Sequence, residues 1–318
     1  MSVTDPDLLF ATPKDHPHWI DSACFYLSVP ELRLHGIIFY FFRPNLNMLT
    51  GGPVIWDPSG HTALDCLHYN FSLYQPMPKP VQTVEAQKFN FEAANSLRVT
   101  TLEAQRRYAL AYNFGGLEFE LEWQATGPLH AAPQRDPENY HAEQAGRMTG
   151  WLNLEGRKIP VDCASLRDLS YGVRDYAKIH PGAYCWGSTG PDVFQTLSMG
   201  TDREQKILTG FLQKDGETAI LVEGVRRIDA YGQYGAKRVT LDATDALGRT
   251  LHAEGQLDDG LLFSGNTTHT VVWSFTEWNW EGRTCWGDNQ EFYPAPTFRR
   301  MARGESSPAE LSTTKKDR

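Results

Sequence analysis

Cysteine is scarce. The 318-residue chain has five (Cys24, Cys66, Cys163, Cys185 and Cys285), an odd number, widely spaced and without a C-x-x-C pair. Disulfide frameworks and structural zinc sites both draw on paired cysteines, so neither is expected, and no metal site is assigned. Reduced thiols and a cytoplasmic location are the expectation. Long apolar runs are also missing, the longest being far short of the ~20 residues that span a bilayer as a helix. The first twenty-five residues carry Asp5, Asp7, Lys14, Asp15 and Asp21 and no apolar segment of signal-peptide length. The sequons Asn70-Phe71-Ser72 and Asn266-Thr267-Thr268 therefore read as chance matches. Positive charge is in deficit too: thirty Lys+Arg against thirty-nine Asp+Glu leave a formal charge of -9. The one basic cluster is Lys315-Lys316-Asp317-Arg318, so no nucleic-acid partner is expected. There is no G-x-G-x-x-G, no Walker loop, no G-x-S-x-G elbow and no H-E-x-x-H, and no cofactor is expected. A Ser-His-Asp triad assembled from distant residues stays open.

Aromatic residues are plentiful, at 12% of the chain. Rings suit half-buried pleated surfaces and can also wall an apolar cavity. Strand signals are dense. Gly36–Phe42 is a short apolar run ended by Arg43-Pro44-Asn45. Leu117-Glu118-Phe119-Glu120-Leu121-Glu122-Trp123 alternates strictly and follows Tyr108–Tyr112 across Gly115-Gly116, which reads as a hairpin. Ile207–Leu212 and Thr218–Val222 join through Lys214-Asp215-Gly216, and Arg238–Ala243 and Thr250–Glu254 through Asp245–Gly248. Thr270–Phe275 is a further strand. Helical evidence is thin: Pro160–Val173 is read as holding a turn, and Glu103–Arg107 is ambiguous. The expected class is all-β, with sandwiches or barrels and little helix. The stretch 126–139 holds three prolines without periodicity. This sets a division into residues 1–127, a linker at 128–139, residues 140–301 and a disordered tail at 302–318.

The densest polar cluster is Arg167-Asp168-Leu169-Ser170-Tyr171-Gly172-Val173-Arg174-Asp175. Arg presents a planar fork that matches a carboxylate, so the two Arg-Asp pairs can cross-link into one network. In a functional reading Asp168 or Asp175 is an acid/base and Tyr171 a hydrogen-bond donor; in a structural one the network pins a loop. His141 and Glu143 are two apart and share a face of a strand, which suits an acid/base pair as well as a charged strand start. In Trp273–Glu281, alternation aims Trp278 and Trp280 to one side and Glu277 and Glu281 to the other. An aromatic face of this kind can hold a flat substrate or a transient cation, or simply pack on a neighbour. Asp15-His16-Pro17-His18 is metal-like but too loosely built to assign.

The segment Tyr140–Tyr176, with its Glu-Gln-x-Gly-Arg strand start at Glu143–Arg147 and its Arg-Asp-x-Ser-Tyr-Gly-x-Arg run at Arg167–Arg174, resembles the opening of the C-terminal half of a family of two-domain lipocalin-like proteins. The stretch His18–Tyr26 is more loosely similar to that family's opening strand. The family includes AttH-like proteins, carotenoid 1,2-hydratases and fungal Diels–Alderases. The resemblance implies two side-by-side lipocalin-like (calycin) β-barrels with an apolar pocket, acting without a redox cofactor on large unsaturated molecules. Tyr171 stands where the signature usually has Trp. Arg167, Asp168, Ser170, Gly172 and Arg174 carry over as family-defining residues.

The leading expectation is a cofactor-free lyase or isomerase that hydrates or dehydrates an alkene in a hydrophobic isoprenoid, steroid or aromatic substrate. A carboxyl group in an apolar site keeps its proton and can donate it. Asp168, Asp175 and Glu277 are the acid candidates, Tyr171 and His141 their hydrogen-bonding partners. Arg167, Arg174, Trp278 and Trp280 are expected to bind substrate. A non-catalytic binder and a cyclase working by pocket shape are the alternatives. The expected partner is a hydrophobic small molecule, with room for a homodimer.

Overall fold

The computed structural model describes residues 15–71, 74–78, 89–132, 139–174, 180–264 and 268–311. Two compact units divide the chain: Met1–Trp56 with Leu67–Arg174, and Asp57–Cys66 with Asp175–Arg318.

The first unit is one antiparallel sheet. Its strands are β1 (Trp19–Val29), β2 (Leu34–Arg43), β3 (Met48–Trp56), β4 (His68–Tyr69), β5 (Tyr74–Pro76), β6 (Phe91–Glu92), β7 (Arg98–Glu103), β8 (Arg107–Phe114), β9 (Leu117–Ala131), β10 (Tyr140–Leu154) and β11 (Arg157–Val173). They lie in the order β4-β3-β2-β1-β11-β10-β9-β8-β7-β6, with β5 beside β3. Pairing of β1 with β11, from Trp19 opposite Val173 to Phe25 opposite Arg167, joins the two ends of this stretch of chain. Strands from both ends of the sheet feed one core that includes Phe25, Tyr40, Phe91, Tyr108, Trp123 and Leu169. The alternation in β9 puts Leu117, Phe119, Leu121 and Trp123 into that core and turns the Glu residues away. At the β8–β9 turn Gly115 and Gly116 take φ 64° and 86°. Both central positions of this hairpin are left-handed, a geometry glycine adopts without strain.

The second unit comprises β12 (Gly182–Ser188), β13 (Val193–Met199), β14 (Glu204–Lys214), β15 (Glu217–Tyr231), β16 (Ala236–Asp245), β17 (Thr250–Leu257), β18 (Leu261–Phe263), β19 (His269–Trp280) and β20 (Arg283–Pro294). The order is β17-β16-β15-β14-β13-β12-β20-β19-β18, and pairing of β17 with β19 closes eight of these strands into a barrel. Closure removes exposed sheet edges. Phe194, Leu212, Leu241 and Leu251 pack inside with Trp278 and Trp280. Gly255 makes room for them: a side chain there would start 2.6 Å from the Trp278 ring. Helix α1 (Ala295–Ala302) sets Met301 and Phe298 against Val272, Tyr293 and Tyr234.

The all-β reading holds, and the division differs from the one expected. Residues 128–131 continue β9, and the first unit runs on through β10 and β11 to Arg174. Pro128 is tolerated because the β9–β10 register shifts between Gln144 and Gly146, opposite residues 126–128. A bulge there needs no ladder bond from a proline nitrogen. Residues 133–138 of the expected linker lie outside the described residues. Pro160–Val173 is strand throughout, not a turn. Within the expected tail, α2 (Pro308–Leu311) is ordered by a capping box in which Ser307 N donates to Glu310 Oε2 at 2.6 Å and Glu310 N to Ser307 Oγ at 3.3 Å.

Candidate functional site

In β11 the residues Ile159, Val161, Cys163 and Leu169 enter the first unit's core. Asp168 therefore points from the opposite face, directly across from Glu143 on β10 and Cys24 on β1. Tyr26, two residues along β1 from Cys24, donates its hydroxyl to Asp168 Oδ2 at 3.1 Å. Glu143 is buried, and its Oε1 lies 2.8 Å from His141 Nε2. His130 on β9 is the register partner of Glu143 from the other side. Ser170, opposite His141, shares a 2.9 Å hydroxyl contact with Ser22. One patch of four strands thus gathers two carboxylates, two imidazoles and a phenol.

The electrostatics of these groups differ. Burial pushes the Asp168 carboxyl up, with Glu143 adding repulsion; His141, the Tyr26 hydrogen bond and Arg174 pull it back, and the balance is about 6. For His141, burial works against the imidazolium. The hydrogen bond and charge of Glu143, and the charge of Asp168, outweigh burial and Arg174, so its pKa is raised. Burial lowers that of His130. The patch therefore holds a carboxyl that titrates near 6 beside an imidazole that keeps its proton more tightly than usual.

The other expected site residues are placed elsewhere. Arg167 is fully buried inside the first unit, its guanidinium 4.7 Å from the Tyr108 ring centroid and 5.1 Å from Trp123, with Nη2 donating to Gln144 Oε1 at 2.5 Å. Tyr171 stacks between Tyr140 and Trp19, at 5.3 and 6.1 Å. Arg174 Nη2 donates to Tyr140 O at 3.5 Å, and its charge acts on both Asp168 and His141. Glu277 is exposed in the second unit, where Trp278 and Trp280 meet Phe194 edge to face inside the barrel at 5.2 and 5.3 Å. Asp175 lies outside the described residues. The structure thus brings together Asp168 and His141, in reach of the Arg174 charge, while Glu277, Trp278 and Trp280 belong to the second unit. Tyr26 and His130 join the patch through register alone, without a motif to mark them.

A family model described as a domain of unknown function (DUF7064) matches residues 6–291 of the 318. The chain belongs to this family. Solved structures share its fold. An AttH protein of Nitrosomonas europaea superposes with a TM-score of 0.58 at 11% identity, over 89% of this chain and 96% of its own. Kievitone hydratase from Nectria haematococca gives 0.54 at 10% identity, covering 93% and 96%. CghA gives 0.52 at 11% identity, covering 91% and 95%. At these identities the likeness is one of fold, and the fold is the lipocalin-like one that the Arg167–Arg174 signature implies. No curated protein matches the chain in sequence.

Proposed function

We propose that the Asp168–His141–Glu143 patch is an acid–base centre that removes or adds one water at a double bond of a hydrophobic small molecule, without a redox cofactor. The observation that carries this reading is a half-buried carboxyl near pKa 6 beside an imidazole whose pKa is raised. His141 holds its proton more tightly than Asp168, so a single proton shared by the pair rests on the imidazole. In the dehydrating direction the Asp168 carboxylate takes the proton from the carbon next to a carbonyl. That electron pair forms the C=C bond, the C–O bond breaks, and the His141 imidazolium protonates the departing hydroxide. In the hydrating direction neutral His141 takes a proton from water as its oxygen adds, and the Asp168 carboxylic acid protonates the carbon. Glu143 holds the imidazole in place, and Tyr26 orients the carboxyl. A hydratase among the fold relatives supports this reaction class.

The test is incubation of the full chain with a panel of isoprenoid and aromatic β-hydroxyketones and their enones in heavy-oxygen water, followed by mass spectrometry. Gain of one labelled water by the enones, or loss of one water from the β-hydroxyketones, is expected, and Asp168→Asn and His141→Asn should each abolish it. Binding without conversion would instead favour a carrier.

A further inference from the structure

The first unit carries a groove that the acid–base patch does not use. Its volume is about 520 Å³, within the range of ligand sites, and Ala109 and Ala111 on β8 lie along its floor. The strand register raises a wall on either side. Arg98 on β7 is opposite Ala111, Ala111 is opposite Glu120 on β9, and Glu120 is opposite Trp151 on β10. Thr100, Ala109, Glu122 and Thr149 form the next row. Both rows face away from the core, because Leu110, Leu121 and Leu152 alternate with them and point into it. Trp151 is half-buried yet stands outside that core, with Glu120 on one side and Pro160 on the other. From the β11 side the Lys158 ammonium lies 4.0 Å from its ring centroid, so one face of the indole is held while the other borders the groove. Gly150 takes φ 133°, and a side chain there would start 2.2 Å from Glu120 O, so only glycine lets β9 and β10 meet at this row.

We propose that this groove binds a short, uncharged sugar chain, with one ring stacked on Trp151 and lying over the two alanines. The polar groups fit that class. Glu122 is taken by Arg107 at 2.9 Å, and Arg147 by Asp162 at 2.6 Å. Among the described residues the Arg98 guanidinium, the Glu120 carboxylate and the Trp151 indole N–H have no hydrogen-bonding or ionic partner. One cation and one carboxylate then face each other without net charge, and donors and acceptors stand on both sides. Their strands, β7 and β9, are two spacings apart, about 9.5 Å. An α-amino acid carries its two charges on neighbouring carbons and is too short to bridge such walls. A pyranose ring offers an apolar C–H face to the indole and the floor, and hydroxyls that both donate and accept around its rim. This is a binding function separate from the chemistry on hydrophobic molecules, and its readout needs no turnover.

Saturation-transfer NMR of the full chain with cellotriose, maltotriose and chitotriose, and with phenylalanine as the zwitterion, tests this. Saturable transfer to at least one of the sugars is expected. Trp151→Ala should abolish it. Ala111→Gln, which fills the floor from a solvent-facing position without altering charge, should abolish it too. Glu120→Gln should weaken it about fivefold, the loss of one charge-assisted contact in an open groove. Transfer to none of the three sugars, or a sugar signal that survives either Trp151→Ala or Ala111→Gln, would overturn the proposal. Transfer to phenylalanine alone, removed by Trp151→Ala, would overturn it as well and assign the groove to a zwitterion.

Discussion

Asp168 is costly to the fold in the ionised form, and that cost is its use. A carboxyl raised from its ordinary value of 3.8 to about 6 binds its proton more tightly in the folded protein than in the unfolded chain. Its contribution therefore falls as pH climbs from about 4 to 6, and the full cost is present above 6. Asp168→Asn removes that cost while the Asn carbonyl can still accept from Tyr26. The variant is expected to lose turnover yet unfold no earlier, with a gain of up to roughly 2 kcal/mol at pH 7.5 by urea denaturation and none near pH 4. Glu143→Gln should act on the partner: without its charge the His141 pKa falls, and the alkaline limb of a bell-shaped pH–rate profile moves to lower pH. Sequence placed both residues among the candidates, and strand alternation explains why the motif around Asp168 was only half legible. Arg167 and Asp168 are adjacent, so they point to opposite faces: the arginine enters the aromatic core and the aspartate leaves it. A paired Arg-Asp network across the motif is thus excluded by the pleat for these two.

The elements themselves were legible where one face is buried and the other wet. β9 shows it: Leu, Phe, Leu and Trp alternate with Glu and begin at a Gly-Gly turn. β11 hid because its buried face carries Ser165 and Arg167 beside apolar residues, while its other face carries the buried Leu166 and Ser170. Neither face reads as cleanly apolar or polar. The glycine turns make a check on this scale. Gly116 sits at φ 86°, where a β-branched side chain is strained, so Gly116→Val should destabilise the chain by about 1–3 kcal/mol in a denaturant titration. A loss below about 0.5 kcal/mol would mean the hairpin relaxes to another turn.

Among the described residues each unit hides one arginine inside its sheet, with different partners. Arg167 lies over rings. Arg226 is fully buried and donates from Nη2 to Glu291 Oε1 and Asn289 Oδ1, both at 2.8 Å, and from Nη1 to Gln205 Oε1 at 2.9 Å. Removing one member of such a pair strands the other charge. Glu291→Ala should therefore cost about 3–5 kcal/mol, whereas a Glu291→Leu, Arg226→Met double variant should recover most of it. Hydrogen exchange would locate the damage, with faster exchange in β12 to β20. Two all-β units were readable from turn spacing and composition. Their boundary was not, because a proline at a bulge and a proline between strands look alike in sequence.

The acid–base centre can be tested before any substrate is known. A carboxyl-observed carbon NMR titration of the full chain, with Asp168→Asn as the assignment control, measures the property on which the chemistry depends. One carboxyl titrating near pH 6, absent from the variant, is the expected result. If Asp168 titrates in the ordinary range near 4, its carboxylate is too weak a base to take a carbon-bound proton and its acid form too scarce at neutral pH to return one, and the proposed chemistry fails.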